Sequence, residues 1–541
     1  MSNENISPDS ASEGPPRRRR RRRRPQPDTQ ALAGAGERLL PLKQILIGEP
    51  DANAEFFISQ KNHEEPLYIR AFYEWDGNFS QELTNGTKFI LFGQKGTGKT
   101  AILRHIENNS NNYRTSFIIF RKEIIEEAQL ANFAATFSAS LVVDEDKIKS
   151  TKFYYHAMKR LLLTFLLSLC DDLDEEMPDD VGWFKELYKS LKGSSVGQIA
   201  ALVTDSVIGS FQAVEVDVNK LTKGIVSVNT SKAVKRSNDA FTKFAFEQFQ
   251  KKNVKARIFL DEMHFAYRDP GSLSADASLV RDTILAVREI NEKLIEANIN
   301  SLIYISIRSE FLEHQEISAA DVAHTIESYG VELSWENAPY DRTHPIFEMM
   351  LARLKVTLGD ELTREVMIGR YIPVARAQDF LEYTWGKPRD IVRYFKAAKA
   401  AYPNAATIRS NKEFGNVIRR YSQAAWQDVK AAIAAFVPKD SIPLLEDALQ
   451  EIANHNFDSS KRYTKKDLEI VLMKAFAHMR GAGVSYDMSE LIKLLYIVGV
   501  FYVRYKDASG QMILHQFHRG NRHPYANGTF YVHRAVARAL S

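Results

Sequence analysis

The stretch FILFGQKGTGKT at residues 89–100 constrains the fold of this chain more than any other. Four apolar residues, Phe89, Ile90, Leu91 and Phe92, run into Gly93-x-x-x-x-Gly98-Lys99-Thr100, and residues 101–108 continue in a helix-compatible pattern. Strand, glycine loop and helix in that order are the setting in which a P-loop works. Its glycines let backbone N–H groups turn inward on phosphate oxygens, and the N-terminal end of the following helix favours negative charge. On this reading the loop from Gly93 through Gln94, Lys95, Gly96, Thr97 and Gly98 to Ala101 surrounds the phosphates of ATP. Lys99 reaches the β- and γ-phosphates, and Thr100 ligates Mg²⁺.

Such a site needs acids, and residues 256–262, ARIFLDE, supply them. Ile258, Phe259 and Leu260 read as a buried strand whose C-terminal end carries Asp261 and Glu262, where open α/β sheets bind ligands. Asp261 is expected to hold Mg²⁺, commonly through water, and Glu262 to activate the attacking water. Loop and acids are expected on neighbouring strands that share one metal ion. Asp261-Glu262-Met263-His264 also fits a DExH helicase pattern, but no second motor half is found downstream. GSSVGQ at residues 193–198 echoes an ABC signature loop only faintly.

Further elements complete a parallel sheet. Residues 115–120, TSFIIF, read as a second strand; residues 279–295 show an amphipathic helical pattern that crosses over to a strand at 301–307. That strand ends in Ser306, Ile307 and Arg308, and Arg308 is a candidate γ-phosphate sensor, the alternative being a surface arginine at the sheet's end. Between residues 121 and 253 lies a mostly helical insertion, with helical spacing at 153–169 and 238–249 and no clear pattern at 196–228. Ahead of the glycine loop, Phe56, Phe57, Tyr68, Phe72, Tyr73 and Trp75 serve either as core or as a wall for adenine.

The order of P-loop, Asp-Glu strand and polar-ended strand followed by helices resembles AAA+-related ATPases, especially the STAND and Orc/Cdc6-like branch, over about residues 87–540. It is also similar to bacterial P-loop ATPases labelled FunZ. Residues 330–354, with a Leu-x-Trp unit and a helix ending in Arg353-Leu354, are similar to the stretch by which such proteins leave the sheet. WGKPRDIVRYF at residues 385–395 resembles the Gly-x-Pro-Arg turn that opens a lid helix. The resemblance implies that Arg389 reads the γ-phosphate from the lid; the plainer reading is a helix start with Pro388 in its first turn.

The expected fold is therefore α/β, a P-loop NTPase parallel sheet of AAA+/STAND-like type with a helical insertion, a helical lid and a C-terminal winged helix. Expected units are a disordered Arg-rich tail at 1–36, the ATPase domain at 37–340, the lid at 341–440 and a winged-helix-like domain at 441–541. The last rests on helices at 466–479 and 489–498, a hairpin at 501–505 and 512–517, and a turn at 507–510. Its second helix is apolar at Leu491, Ile492, Leu494, Leu495, Ile497 and Val498, which favours packing over reading of base edges. The wing carries His515, His518, Arg519, Arg522, His523 and Arg534, placed to meet phosphates without specifying sequence. Histidines 515, 518, 523 and 533 lack the cysteines or nearby carboxylates of a metal site.

The net charge of +4 is misleading, because Arg17 to Arg24 supply eight positive charges; the rest of the chain has 64 basic against 68 acidic residues. Like-charged runs of this kind either bind nucleic acid or another polyanion, or remain a solvated tail. Cys170, the single cysteine, excludes an intramolecular disulfide, and it sits in an apolar run as a buried thiol. No stretch is long enough to span a membrane, and a cytoplasmic setting fits. Two functions follow: an ATP-dependent switch with slow hydrolysis, capable of homo-oligomer assembly and set by the resemblance in bacterial stress or phage defence, or a DNA-acting ATPase of origin-binding or repair type that uses the tail and wing.

Overall fold

Strands buried on both faces need uninterrupted apolar runs, and the chain provides them where the central sheet forms. The computed structural model describes residues 39–75, 79–120, 154–170, 228–263, 272–312, 320–335, 341–373, 377–434, 437, 439–458, 462–476, 487–521, 523–525 and 527–541. Its larger sheet has five parallel strands, β1 (Ile90–Gly93), β2 (Arg114–Ile119), β3 (Ala256–Asp261), β4 (Leu302–Arg308) and β5 (Gly330–Glu332), in the order β2-β3-β4-β1-β5. Every residue of β3 is buried, as is all of β4 but its last. This is an α/β fold compatible with a P-loop-like architecture.

Strand order corrects one expectation. β4 lies between β1 and β3, so the glycine loop and the acids leave strands that are not neighbours. Pairing between distant segments is set by packing, and nothing in the local sequence of β1 or β3 fixes it. β5 was not anticipated either; three residues are too few to show a period. The register Gly93 with Arg308 across β1 and β4 places the loop, Arg308 and the end of β3 along one edge of the sheet.

Helices cover the sheet. The loop helix Lys99–Asn108 follows β1, and the crossover helix Ser272–Glu296 joins β3 to β4. Asn291 anchors the crossover helix: its amide donates to the Ile303 carbonyl and accepts from the Ile303 N–H, both at 2.9 Å. Of the insertion, helices Tyr155–Ser168 and Val228–Lys251 pack beside the sheet, with Cys170 buried next to the first. The unclear stretch at 196–227 and the arginine run of the tail lie outside the described residues.

A second core holds the rest. Helices Pro345–Leu358, Arg364–Tyr371, Ala377–Tyr383 and Pro388–Ala401 lead to the long helix Asn411–Ile433, begun by a Ser410/Glu413 capping box. The C-terminal module contains helices Lys465–Ala475 and Met488–Ile497 and an antiparallel sheet of β6 (Phe501–Lys506), β7 (Met512–His515) and β8 (Thr529–Val532), in the order β7-β6-β8. Asp507 closes the turn between β6 and β7 by accepting N–H bonds from Ser509 and Gln511. Leu491, Ile492, Leu495 and Tyr496 are buried, and the Trp385 indole donates to the Gly499 carbonyl at 3.1 Å, so module and preceding helices share one interior. Among the described residues no helix is long and apolar enough to cross a membrane.

Candidate functional site

Leaving β1, the chain must turn sharply into a helix, and its glycines allow the turn. Gly96 and Gly98 have φ of 89° and 105°, a region costly for other residues. A Cβ on Gly93 would lie 2.6 Å from the Leu333 carbonyl oxygen, so only glycine fits against the segment after β5. Two further bonds hold the loop: the Trp335 indole donates to the Thr97 carbonyl at 3.1 Å, and the Thr97 hydroxyl to the Gln94 carbonyl at 2.9 Å. Lys99 curls over it, its ammonium donating to the carbonyls of Gly93 at 2.7 Å and Gln94 at 2.9 Å.

At the first turn of the loop helix, the Thr100 hydroxyl donates to Asp261 Oδ2 at 2.7 Å. The Ser306 hydroxyl donates to Asp261 Oδ1 from β4, the strand in between. Asp261 is buried, at 2% exposure, so hydroxyl partners on both oxygens offset the loss of water around its charge. Three oxygen-bearing side chains meet here, a donor set suited to a hard divalent cation such as Mg²⁺. Glu262 follows in a left-handed backbone conformation, φ 55°, half-buried, and lines the same cleft. A strained residue at a strand end beside a ligand cleft is a recurrent mark of function.

The cleft, counted together with its opening to solvent, spans about 790 Å³. Lys95, Gly96, Gly98, Lys99, Thr100, Ala101, Asp261, Glu262, Arg308 and Arg389 all line it, which brings together ten of the residues expected from sequence. Gly93, Gln94 and Thr97 stand behind it and shape the loop. Gln94 is buried, and its amide donates to the Phe517 carbonyl of the C-terminal module at 3.4 Å. Arg389 enters from helix Pro388–Ala401, with Pro388 in the first turn as expected. Its backbone N–H meets the Gly96 carbonyl at 3.4 Å, and its Nε donates to the Pro50 carbonyl at 3.0 Å. Cations outnumber acids around the cleft: Lys95, Lys99, Arg308, Arg353 and Arg389 against Glu49, Asp261 and Glu262. Such a balance attracts anions.

None of the aromatics read as core or adenine wall lines the cleft, whose apolar lining includes Pro50, Ala52, Met263 and Val392. Phe72 stacks on His105 at 3.6 Å and Trp75 on Trp335 at 5.3 Å, as the core alternative has it, while Phe57 is exposed. Two wing residues are engaged within the protein. His518 is buried, and Arg534 pairs with Asp379 at 3.5 Å and Glu382 at 2.6 Å. Arg522 lies outside the described residues. Ser306 at the acid and Asp428 near Lys95 were not singled out as site residues. A serine ending an apolar strand is a weak signal for the first, and an acid three residues after Ala425 and seven after Tyr421, on the apolar face of its helix, is a weak signal for the second.

Compared with models of protein families, with curated proteins and with solved structures, the chain matches none.

Proposed function

We propose that the chain is an Mg²⁺-dependent ATPase that works as a nucleotide-controlled switch. One observation carries the reading: the contact between Thr100 and Asp261, which joins the hydroxyl after the lysine of a Gly-x-x-x-x-Gly-Lys-Thr loop to the acid at the end of a buried strand. The chance that an unrelated glycine turn would meet a buried carboxylate in this way is small.

In this reading the loop's N–H groups and Lys99 bind the phosphates, Lys99 exchanging its loop carbonyls for phosphate oxygens. Thr100 and Asp261 hold Mg²⁺, which when bound offsets the charge of the phosphates. Glu262 orients a water for attack and accepts its proton. Arg308 and Arg389 stabilise charge on the terminal phosphate from the sheet and from the helical side. Because Arg389 also bonds the loop backbone, phosphate contact there is felt by helix Pro388–Ala401, which supports a switch. The AAA+/STAND-like assignment and the winged-helix character of the last module belong to the same proposal. The DNA-acting alternative draws less support, since His518 is buried and Arg534 is paired with Asp379 and Glu382.

The test is nucleotide binding and phosphate release by the full chain. Lys99→Ala should abolish ATP binding, whereas Glu262→Gln should retain binding and lose turnover. A wild-type chain that binds no ATP with Mg²⁺ present would refute the proposal.

A further inference from the structure

Lys95, Arg308 and Arg389 line two cavities at once. One is the glycine-loop cleft; the other, of about 600 Å³ and partly open, lies between helix Pro388–Ala401, the long helix Asn411–Ile433 and the end of helix Met488–Ile497. Asp428, from the long helix, belongs only to the second cavity. Its Oδ1 accepts from Lys95 Nζ at 3.2 Å, and its Oδ2 from Arg389 Nη1 at 3.1 Å and Arg393 Nη2 at 2.6 Å. One carboxylate thereby ties the glycine loop to two arginines of the neighbouring helix. Burial opposes its charge, yet Lys95, Arg393 and Arg389 outweigh burial and hold the carboxyl well below the ordinary range.

The other acid nearby does not share this task. Asp390 is buried, and its Oδ2 accepts the N–H groups of Trp385 at 3.0 Å and Lys387 at 3.2 Å at the start of its own helix. Of the two acids that line the second cavity, Asp428 is therefore the one that bonds Lys95 and Arg389. A terminal phosphate carries up to about two negative charges against one on a carboxylate, so it competes well for the same donors.

We propose that Asp428 is a specificity-determining residue, an internal carboxylate that holds Lys95 and Arg389 on the far side of the cleft and yields them to the terminal phosphate of a nucleoside triphosphate. A nucleoside diphosphate lacks the group that reaches these cations and leaves the contact in place. The exchange separates Arg389 from the long helix, so the joint between the two helices depends on which nucleotide is bound. This inference rests on the nucleotide reading of the cleft.

Asp428→Asn, nearly the same shape, tests it in the full chain by titration with ATP and with ADP in the presence of Mg²⁺. Affinity for ATP should rise about tenfold, the equivalent of releasing one charge-assisted hydrogen bond, while affinity for ADP changes less than about twofold. Equal shifts for both nucleotides, or weaker ATP binding, would overturn the proposal and leave a merely structural contact. Arg393→Gln gives an independent measurement if the first variant does not fold. It removes a competitor for the Asp428 carboxylate, tightens the hold on Lys95 and Arg389, and should weaken ATP binding without affecting ADP; unchanged or tighter ATP binding would count against the inference. A wild-type chain that binds neither nucleotide overturns both this inference and the function it rests on, whereas one that binds both, with an unaltered ratio in Asp428→Asn, overturns this inference alone.

Discussion

Thr100 and Asp261 share a hydrogen bond of 2.7 Å although they stand 161 positions apart and leave strands separated by β4. The side chains bridge the gap because both strands end at the same edge of the sheet, and Ser306, from the strand between, holds the other carboxylate oxygen.

A metal held by this group should be lost when the carboxylate goes. Asp261→Asn is expected to weaken ATP binding about 10- to 100-fold with Mg²⁺ present and to change it little in EDTA, since the loop's N–H groups and Lys99 remain. Ser306→Ala should move affinity in the same direction by less. Titration with and without chelator separates a metal effect from a general loss of fold.

Glu262 combines a proposed chemical role with backbone strain. Replacing it with Gln should lower hydrolysis by about 10²- to 10⁴-fold. Its φ of 55° is costly for any residue with a Cβ, by about 1–2 kcal/mol. Glu262→Gly should therefore unfold at a higher midpoint than Glu262→Ala, with neither variant active. Equal midpoints would mean that the left-handed turn carries no strain.

Glu55 and Arg353 form a buried pair beneath the cleft. Glu55 Oε2 accepts from Arg353 at 3.3 Å, and Oε1 accepts the Tyr68 N–H at 2.8 Å, so one carboxylate organises the segment before the sheet. Glu55→Ala leaves Arg353 buried without its counter-charge and should cost about 3–5 kcal/mol of stability in urea unfolding. Because Arg353 lines the cleft, nucleotide affinity should fall as well.

Three buried histidines should make the chain sensitive to acid. His344 is pushed down to about 4 by burial and then by Arg519, and His533 to about 3 by burial and then by Arg519. His518 lies well below its ordinary value, chiefly through burial and next through His533. Each binds fewer protons folded than unfolded below the ordinary value of 6.5, so the stability they allow is complete above that pH and is lost as pH falls toward 4 and 3. The slope approaches about 1.4 kcal/mol per pH unit for each group. Unfolding midpoints from pH 7.5 to 5 should decline, and less steeply in His518→Gln; a flat profile for the wild-type chain would contradict the burial of these rings.

What could be read from sequence was local. The apolar run into Gly93, the lysine and threonine closing the loop, the acids ending residues 256–262, and Pro388 opening a helix each lie within a few residues and carry their own periodicity or turn chemistry. Of the six apolar positions expected to form a buried face, Leu491, Ile492 and Leu495 are buried, whereas Leu494, Ile497 and Val498 are half-buried. The crossover helix at Ser272–Glu296 and β4 at Leu302–Arg308 fall near the positions their patterns suggested.

The tertiary structure alone decided which strands are neighbours, which aromatics reach the cleft and which charges meet. Asp428 is the clearest instance. It lies three residues after Ala425 and seven after Tyr421, half-buried on the apolar face that also carries Phe414, Val417, Ile418 and Val429, and in sequence an acid there shows that a partner is needed but not which one. Its contacts with Lys95, Arg389 and Arg393 come from segments hundreds or tens of residues away, brought together when the two cores form. Periodicity and turn chemistry report on neighbours along the chain, whereas the partners of a charge are fixed by where packing leaves it.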